Sequence, residues 1–437
     1  MTQQIVVILA VMIAAYVLAK RRKLSVELSM FCSAVAGGLA GALLKTPPLA
    51  DLPRHLVEGA FTYMDVVLVF FTATLFMAIV SESGGITYAV RATLKHFGRR
   101  RLAALLILMI IVLIPGALTG AGSVSLLVVG APVAMALDGL GVPKKKITAI
   151  LFITAGLSAA APPVNIWAMV LCAGTAIPYV GFELPLGIPV LVLGAFTMIF
   201  LGWKKEGGKD IAQALDEMPE APKGMSWWRV ALPFIVFFGL VIACRVKPFA
   251  APIFGLALEF VLASFVAWAT SPRKIDILAV SRVTVRRLLP LLSSMVVIGM
   301  LQQVMTATGV RGLLSFAVLS IPLVLLFILF PVIIPFSEGV LTYGGAAIIG
   351  IPLIWYLDSL GYHATVVIAG LSLLWPLGDG LPPTALIGRL SLIVTDNKES
   401  YKTFLKSTWV PWLVITAVGL LMVIFSAKLA FLVKWSM

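Results

Sequence analysis

Two stretches of this chain match each other without a gap at an offset of 220 residues. Ile114-Pro115, Gly130, Pro132, Leu137-Asp138, Leu140-Gly141 and Pro162-Pro163 recur as Ile334-Pro335, Gly350, Pro352, Leu357-Asp358, Leu360-Gly361 and Pro382-Pro383. Most of these are helix breakers or charged residues inside very apolar sequence. A break in a membrane helix frees backbone groups that lipid cannot hydrogen-bond. It persists only where it packs on protein or lines a cavity. Paired breaks in two halves of one chain point to the binding site of a secondary transporter. The duplication therefore predicts a transporter made of two structural repeats.

Composition puts these breaks in a membrane. Of 437 residues, 61% are hydrophobic and 12% charged, and the mean hydropathy is +1.08. Soluble domains carry about a quarter charged residues. Many windows reach the roughly 20 apolar residues that span a bilayer. The first apolar run, residues 5–19, is followed rather than preceded by Lys20-Arg21-Arg22-Lys23. That is the reverse of a signal peptide, so the run is expected to be the first membrane helix. Cys32, Cys172 and Cys244 form neither a metal-ligand spacing nor a disulfide framework. The net charge of +14 is explained by cytoplasmic loops rather than by nucleic acid.

The expected fold is all-α. Crossing helices are placed near 4–20, 24–45, 61–83, 147–175, 186–203, 227–244, 248–270, 288–309, 364–395 and 407–430. Two longer stretches, 102–142 and 318–361, carry Pro and Gly near their centres and read as re-entrant hairpins. Proline pairs break the helices at 147–175 and 364–395. This layout puts 26 of the 33 Lys and Arg residues on one side, which makes that side cytoplasmic and both termini external. The first hairpin is flanked by Arg99-Arg100-Arg101 and Lys144-Lys145-Lys146 and opens from the cytoplasm. The second is flanked by Arg311 and a neutral Gly361-Tyr362-His363 and opens from outside. The repeats, 1–203 and 227–437, are thus inverted. Amphipathic arms precede the hairpins at 86–100 and 310–320, and the polar segment 204–226 is a cytoplasmic linker.

The breaks create candidate sites. The first tip contains Thr119-Gly120-Ala121-Gly122-Ser123-Val124-Ser125. Its hydroxyls and freed carbonyls suit a hard cation such as Na⁺. The N-terminus of the returning half-helix suits a carboxylate. A tight Gly/Ser turn is the plainer reading. The second tip contains Ser337-Glu338-Gly339-Val340-Leu341-Thr342-Tyr343. Acids at membrane depth are expensive and usually functional, so Glu338 is a cation or proton site unless water reaches it. At the breaks, Asn165, Asp379 and Thr384 offer side-chain oxygens, with helix capping as the alternative for Asp379. Arg389 either holds a substrate carboxylate or is a helix-end charge. The expected substrate-facing residues are Thr119, Ser125, Asn165, Thr342, Thr384 and Arg389. Asp65, Glu82, Glu259, Gln302 and Gln303 are candidates for polar groups packed between helices, the reading favoured for Glu259 and the two glutamines, and Asp138 and Asp358 read as helix terminators.

These motifs, in this order and spacing, resemble the ion transporter superfamily, and within it the large membrane subunit of TRAP transporters. The likeness rests on Gly120-Ala121-Gly122-Ser123, Pro132, Leu140-Gly141 and Ala161-Pro162-Pro163. It continues through Asp358 to Gly361 and Gly378-Asp379-Gly380-Leu381-Pro382-Pro383, and Ser83-Gly84-Gly85-Ile86 adds to it. Pro163-Val164-Asn165 is nearer to the Pro-Asn pattern of dicarboxylate–sodium symporters. The resemblance implies Na⁺-driven uptake of an organic anion, often a C4-dicarboxylate, by an elevator motion in an inner membrane. It implies cation ligation at Gly122, Ser123, Ala160 and Asn165, and at Glu338, Gly378 and Asp379, with no other cofactor. TRAP systems also use a small membrane subunit and an extracytoplasmic binding protein; whether this chain needs them, or pairs as a homodimer, is left open. A Na⁺/H⁺ antiporter is the rival within the class. A membrane enzyme is the rival outside it, opposed by three scattered histidines, His55, His96 and His363.

A cysteine introduced at Lys145 is expected to react only with reagent on the cytoplasmic side, and one at His363 only from outside. The reverse labelling pattern would overturn the topology.

Overall fold

The breaker positions dictate where helices end, and the helices follow them closely. The structure is a computed structural model that describes residues 2–44, 48–207, 210–246 and 254–434. Lys45, Lys209, Lys247 and the first six residues of the expected 248–270 span lie outside the described residues. Among those described, nine helices are long and apolar enough to cross a membrane, or ten if one pair bent by 56° counts as a single span. The described secondary structure is entirely helical.

The chain begins with α1 (Thr2–Arg21) and α2 (Val26–Leu43), which pack together. The helix expected over 61–83 forms as α4 (Met64–Glu82), and a further helix that was not expected, α3 (Leu52–Phe61), precedes it. The sequence of α3 contains Arg54, His55 and Glu58, so it shows no apolar span. The first arm is α5 (Gly85–Phe97), entered through Gly84 at φ +81°. The first hairpin is α6 (Arg101–Thr119), the short α7 (Gly122–Ser125), a π-helical turn (Leu126–Gly130) and α8 (Ala131–Gly139). The first broken helix is α9 (Lys144–Ala160) with α10 (Ile166–Thr175), and α11 (Glu183–Gly202) follows.

The linker is not structureless. It holds α12 (Ile211–Glu217), started by a capping box of Asp210 and Gln213. That is a recognisable sequence signal hidden by its polar, Gly-containing surroundings. The Arg91 guanidinium of α5 donates to the Leu215 and Met218 carbonyls at the end of α12 (2.6 and 2.8 Å). Lys146 pairs with Glu206 at 2.8 Å. Its hydrogen bond holds the Glu206 carboxyl below the usual carboxylate range. The linker is thereby strapped to the arm and to the base of the first hairpin.

Next come α13 (Trp227–Val246), α14 (Leu256–Thr270) and α15 (Ile277–Ala307). At 31 residues α15 starts 11 residues before the expected 288, because Arg282, Arg286 and Arg287 hide its first turns from an apolar pattern. The second arm α16 (Val310–Leu319) follows Gly309 at φ +78°. The second hairpin is α17 (Leu323–Leu341), a π-helical turn (Ala346–Gly350) and α18 (Ile351–Ser359). The second broken helix is α19 (Ala364–Gly378) with α20 (Leu386–Val394). The bent pair α21 (Tyr401–Ser407) and α22 (Trp409–Ile424) and the short α23 (Phe431–Lys434) close the chain.

Both π turns end two residues before a repeated proline, Pro132 and Pro352. A proline ring clashes with the carbonyl four residues earlier and removes an amide donor. Widening the preceding turn relieves that clash. The core lies at the broken helices. In α9 every residue from Ile147 to Ala160 is buried, and in α19 every residue from Thr365 to Gly378. By contrast few residues of α13 are buried.

Helices approach closely where glycines face each other, as expected between helices in lipid. A Cβ at Gly370 in α19 would lie 2.8 Å from the Gly419 carbonyl oxygen in α22, and the reverse holds at Gly419. Gly370→Leu is expected to destabilise the protein by about 1–3 kcal/mol through overpacking. Thermal denaturation in detergent measures this, and an unchanged melting temperature would refute the close crossing.

Candidate functional site

Ala161-Pro162-Pro163 and Leu381-Pro382-Pro383 cannot continue a helix, because each pair lacks two amide donors. Both pairs are joined by cis bonds. What matters is where the freed backbone goes. At the first break the Val164 amide donates to the Ala117 carbonyl of the first hairpin (3.0 Å). At the second, the Thr384 amide and hydroxyl both donate to the Gly339 carbonyl of the second hairpin (3.2 and 2.9 Å). Each break is thus sewn to its own hairpin tip.

The packing behind these bonds is tight. A Cβ on Gly116 in the first hairpin would overlap Ser158 of α9, and one on Gly378 of α19 would overlap the Pro335 carbonyl and the Glu338 side chain. A Cβ on Gly122 would overlap the Ala155 carbonyl oxygen. Gly122 has Thr342 as its counterpart 220 residues on, and Thr342 sits at φ +53°. Left-handed backbone is strained for a β-branched residue, and such strain gathers at functional positions.

The two tips also touch each other. The Tyr343 hydroxyl donates to the Gly120 carbonyl (3.4 Å). The indole N–H of Trp167 in α10 donates to Glu338 Oε2 (2.8 Å). The rings of Trp167 and Tyr343 lie 5.1 Å apart. Glu338 is 1% exposed and Asp379 7%. Gly378, the residue before Asp379, packs directly on Glu338: a Cβ there would lie 2.6 Å from the Glu338 Cβ. Among the described residues no protein donor reaches the Asp379 carboxylate.

A cavity of about 650 Å³ opens beside the tips. One wall comes from α2, α4 and α15 and carries Glu27, Glu82, Arg287 and Ser294. The other comes from the tips and the second break, with Ser123, Thr342 and Thr384. Ser294 Oγ donates to Glu27 Oε1 (3.0 Å). The volume suits a small organic molecule.

The structure therefore sorts the expected residues. Ser123, Thr342 and Thr384 line the cavity, and the Ser123 hydroxyl makes no hydrogen bond within the described protein. Thr119 and Ser125 do not line it. Their hydroxyls donate to the Pro115 (2.7 Å) and Val112 carbonyls inside the first hairpin. Asn165 engages both ends of its amide on the break: Oδ1 accepts from the Ala168 amide (2.9 Å) and Nδ2 donates to the Ala160 carbonyl (2.9 Å). Asn165 and Ala160 thus bind each other while Ser123 faces the cavity. Glu338, Gly378 and Asp379 do come together. Arg389 is exposed, donates to the Pro383 carbonyl (3.1 Å), and is not in the cavity wall.

Sequence reasoning missed two residues. Trp167 looks like any apolar residue of a membrane helix. Arg287 looks like one more cytoplasmic charge. The available signal for Arg287 was the seven-residue interval to Ser294, which puts both on one face of α15.

No protein-family model and no curated protein matches the sequence. Among solved structures, the chain is similar to the YdaH transporter of Alcanivorax borkumensis, described as having an unusual topology. The TM-score is 0.60 and the identity 16%, with 92% of this chain and 98% of that one covered. The chain therefore has the fold of a multi-pass helical membrane transporter. The narrower likeness to TRAP subunits rests on the sequence motifs alone.

Asn165→Ala is expected to lower stability by about 1 kcal/mol or more through loss of the α10 cap. Ser123→Ala, with no bond to lose, should stay within about 0.5 kcal/mol of wild type. Melting curves of the two purified variants test the contrast. Equal losses would contradict it.

Proposed function

We propose that this protein is a secondary active transporter for a small organic anion, coupled to Na⁺. Two inverted repeats, 1–203 and 227–437, work as an elevator in a cytoplasmic membrane with both termini outside. The observation that carries this reading is the cavity wall. Hydroxyls of Ser123, Thr342 and Thr384 on tips and break face Arg287 on α15 across about 650 Å³. Hydroxyls and a guanidinium are the groups that hold a carboxylate. In this reading Arg287 takes the role first assigned to Arg389, and the hydroxyls orient the ligand.

Coupling is placed at the second break. Glu338 and Asp379 are both buried, with Glu338 packed on the Gly378 that precedes Asp379, and two such carboxylates need a cation or a proton to offset their charge. The fold shared with a transporter supports the transport reading as a whole. Proton exchange is the second reading, and the same buried acid pair is the observation behind it.

The test is uptake of labelled C4-dicarboxylates, citrate and sialic acid into proteoliposomes holding this protein alone, with and without an inward Na⁺ gradient. Na⁺-driven uptake supports the proposal. Failure of every solute would sink the stand-alone reading and leave a partner-dependent subunit or the antiporter, which a pH dye in the same vesicles detects. Arg287→Gln is expected to raise the substrate KM on the order of tenfold, as loss of a charged hydrogen bond does, while Arg389→Gln changes it less. Asp379→Asn should weaken the cation dependence; unchanged Na⁺ activation removes Asp379 from the coupling site.

A further inference from the structure

Glu338 belongs to the second hairpin, but the donor that holds it belongs to the first repeat. Trp167 stands two residues past Asn165, on the second residue of α10. It is fully buried. Its indole N–H can only donate, and its acceptor is Glu338 Oε2 at 2.8 Å. The other face of the contact is Tyr343, whose ring is tilted 45° against the indole at 5.1 Å. Tyr343 in turn reaches the Gly120 carbonyl of the first tip (3.4 Å). Gly120 ends α6 at φ +69°, two residues before Gly122 and three before Ser123. It also rests on Ile166, the neighbour of Trp167: a Cβ at Gly120 would come within 2.6 Å of that side chain. Two contacts therefore run from the acid to the first tip, one through Tyr343 and one through α10.

We propose that Trp167 and Tyr343 are positioning residues that couple the two half-sites, so that a cation held by Glu338 sets the geometry of the first tip and its cavity-lining Ser123. This rests on the transport reading above and adds the route by which coupling travels. The indole occupies one carboxylate oxygen and leaves Oε1 as the oxygen that turns to a cation. When the acid turns, the buried indole N–H either follows or loses its partner, and leaving it unpaired is unfavourable. The ring moves with it. Tyr343, packed on that ring, carries the shift to the Gly120 carbonyl. A real coupling changes the affinity at one site with occupancy of the other, and the effect is reciprocal.

The test compares wild type with Trp167→Phe, which keeps a ring and removes the N–H, and Tyr343→Phe, which removes only the hydroxyl. Two readouts are taken, each in Na⁺ and in choline. One is the substrate KM in proteoliposomes. The other is the alkylation rate of a cysteine placed at Leu127, a cavity-lining residue of the first hairpin, measured on purified protein above the background of the three native cysteines. Site-to-site coupling typically changes affinity by roughly 5-fold to 150-fold, and each variant is expected to bring the Na⁺ effect on KM to within about twofold of none. The Na⁺ effect on alkylation should collapse with it, while kcat falls less. If wild type responds to Na⁺ and both variants respond equally well, the relay is wrong and the transport reading stands. If wild type shows no response in either readout, Na⁺ coupling fails and the relay fails with it. A variant that does not purify as a monodisperse protein leaves the other to decide.

Discussion

Everything in this structure hangs on two hydrogen bonds from unwound chain into a neighbouring hairpin. Val164 donates to Ala117, and Thr384 donates to Gly339. Lipid offers no partner for a backbone amide, so a helix broken by two prolines must find one in protein. The hairpin tips supply it. The tips are then fixed at the breaks, the breaks sit among fully buried helices, and the cavity can only form where tips and breaks leave room.

The two halves meet this constraint with different residues. In the first, glycine is on the hairpin: Gly116 lets α6 approach Ser158. In the second, it is on the broken helix: Gly378 lets α19 approach Pro335 and Glu338. The requirement is a small residue at the crossing, and either partner can provide it. The break geometry is similar but the chemistry has diverged. The first break closes on itself through Asn165, which bonds both ends of the gap. The second keeps two acids, to which one indole donates among the described residues. The polarity left over, and hence the proposed coupling site, is concentrated in the second half.

This asymmetry separates two kinds of polar residue that look alike in a sequence. Thr119, Ser125 and Asn165 are as polar as Ser123, Thr342 and Thr384. The first three repair backbone damage inside the hairpin and break. The second three line the cavity, although the Thr342 and Thr384 hydroxyls also donate to the Leu341 and Gly339 carbonyls. A buried hydroxyl or amide goes first to the nearest unpaired backbone group, and only those without such a neighbour, or at the surface of the cavity, remain to meet a ligand.

The helical class, the two hairpins, the two breaks and the arms were legible in the amino-acid order, because breakers in apolar sequence act locally and their 220-residue repetition makes them conspicuous. It did not show α3 or the first turns of α15, where charges interrupt the apolar pattern, and α12 was overlooked behind a polar linker. Which polar atoms were left over emerged from packing between distant segments. That packing set Arg287 rather than Arg389 in the cavity wall, and joined Trp167 of one half to Glu338 of the other across 171 residues. The reason is physical: a helix break is a property of a few consecutive residues, whereas a side chain's free hydrogen-bonding capacity depends on neighbours that only folding brings near.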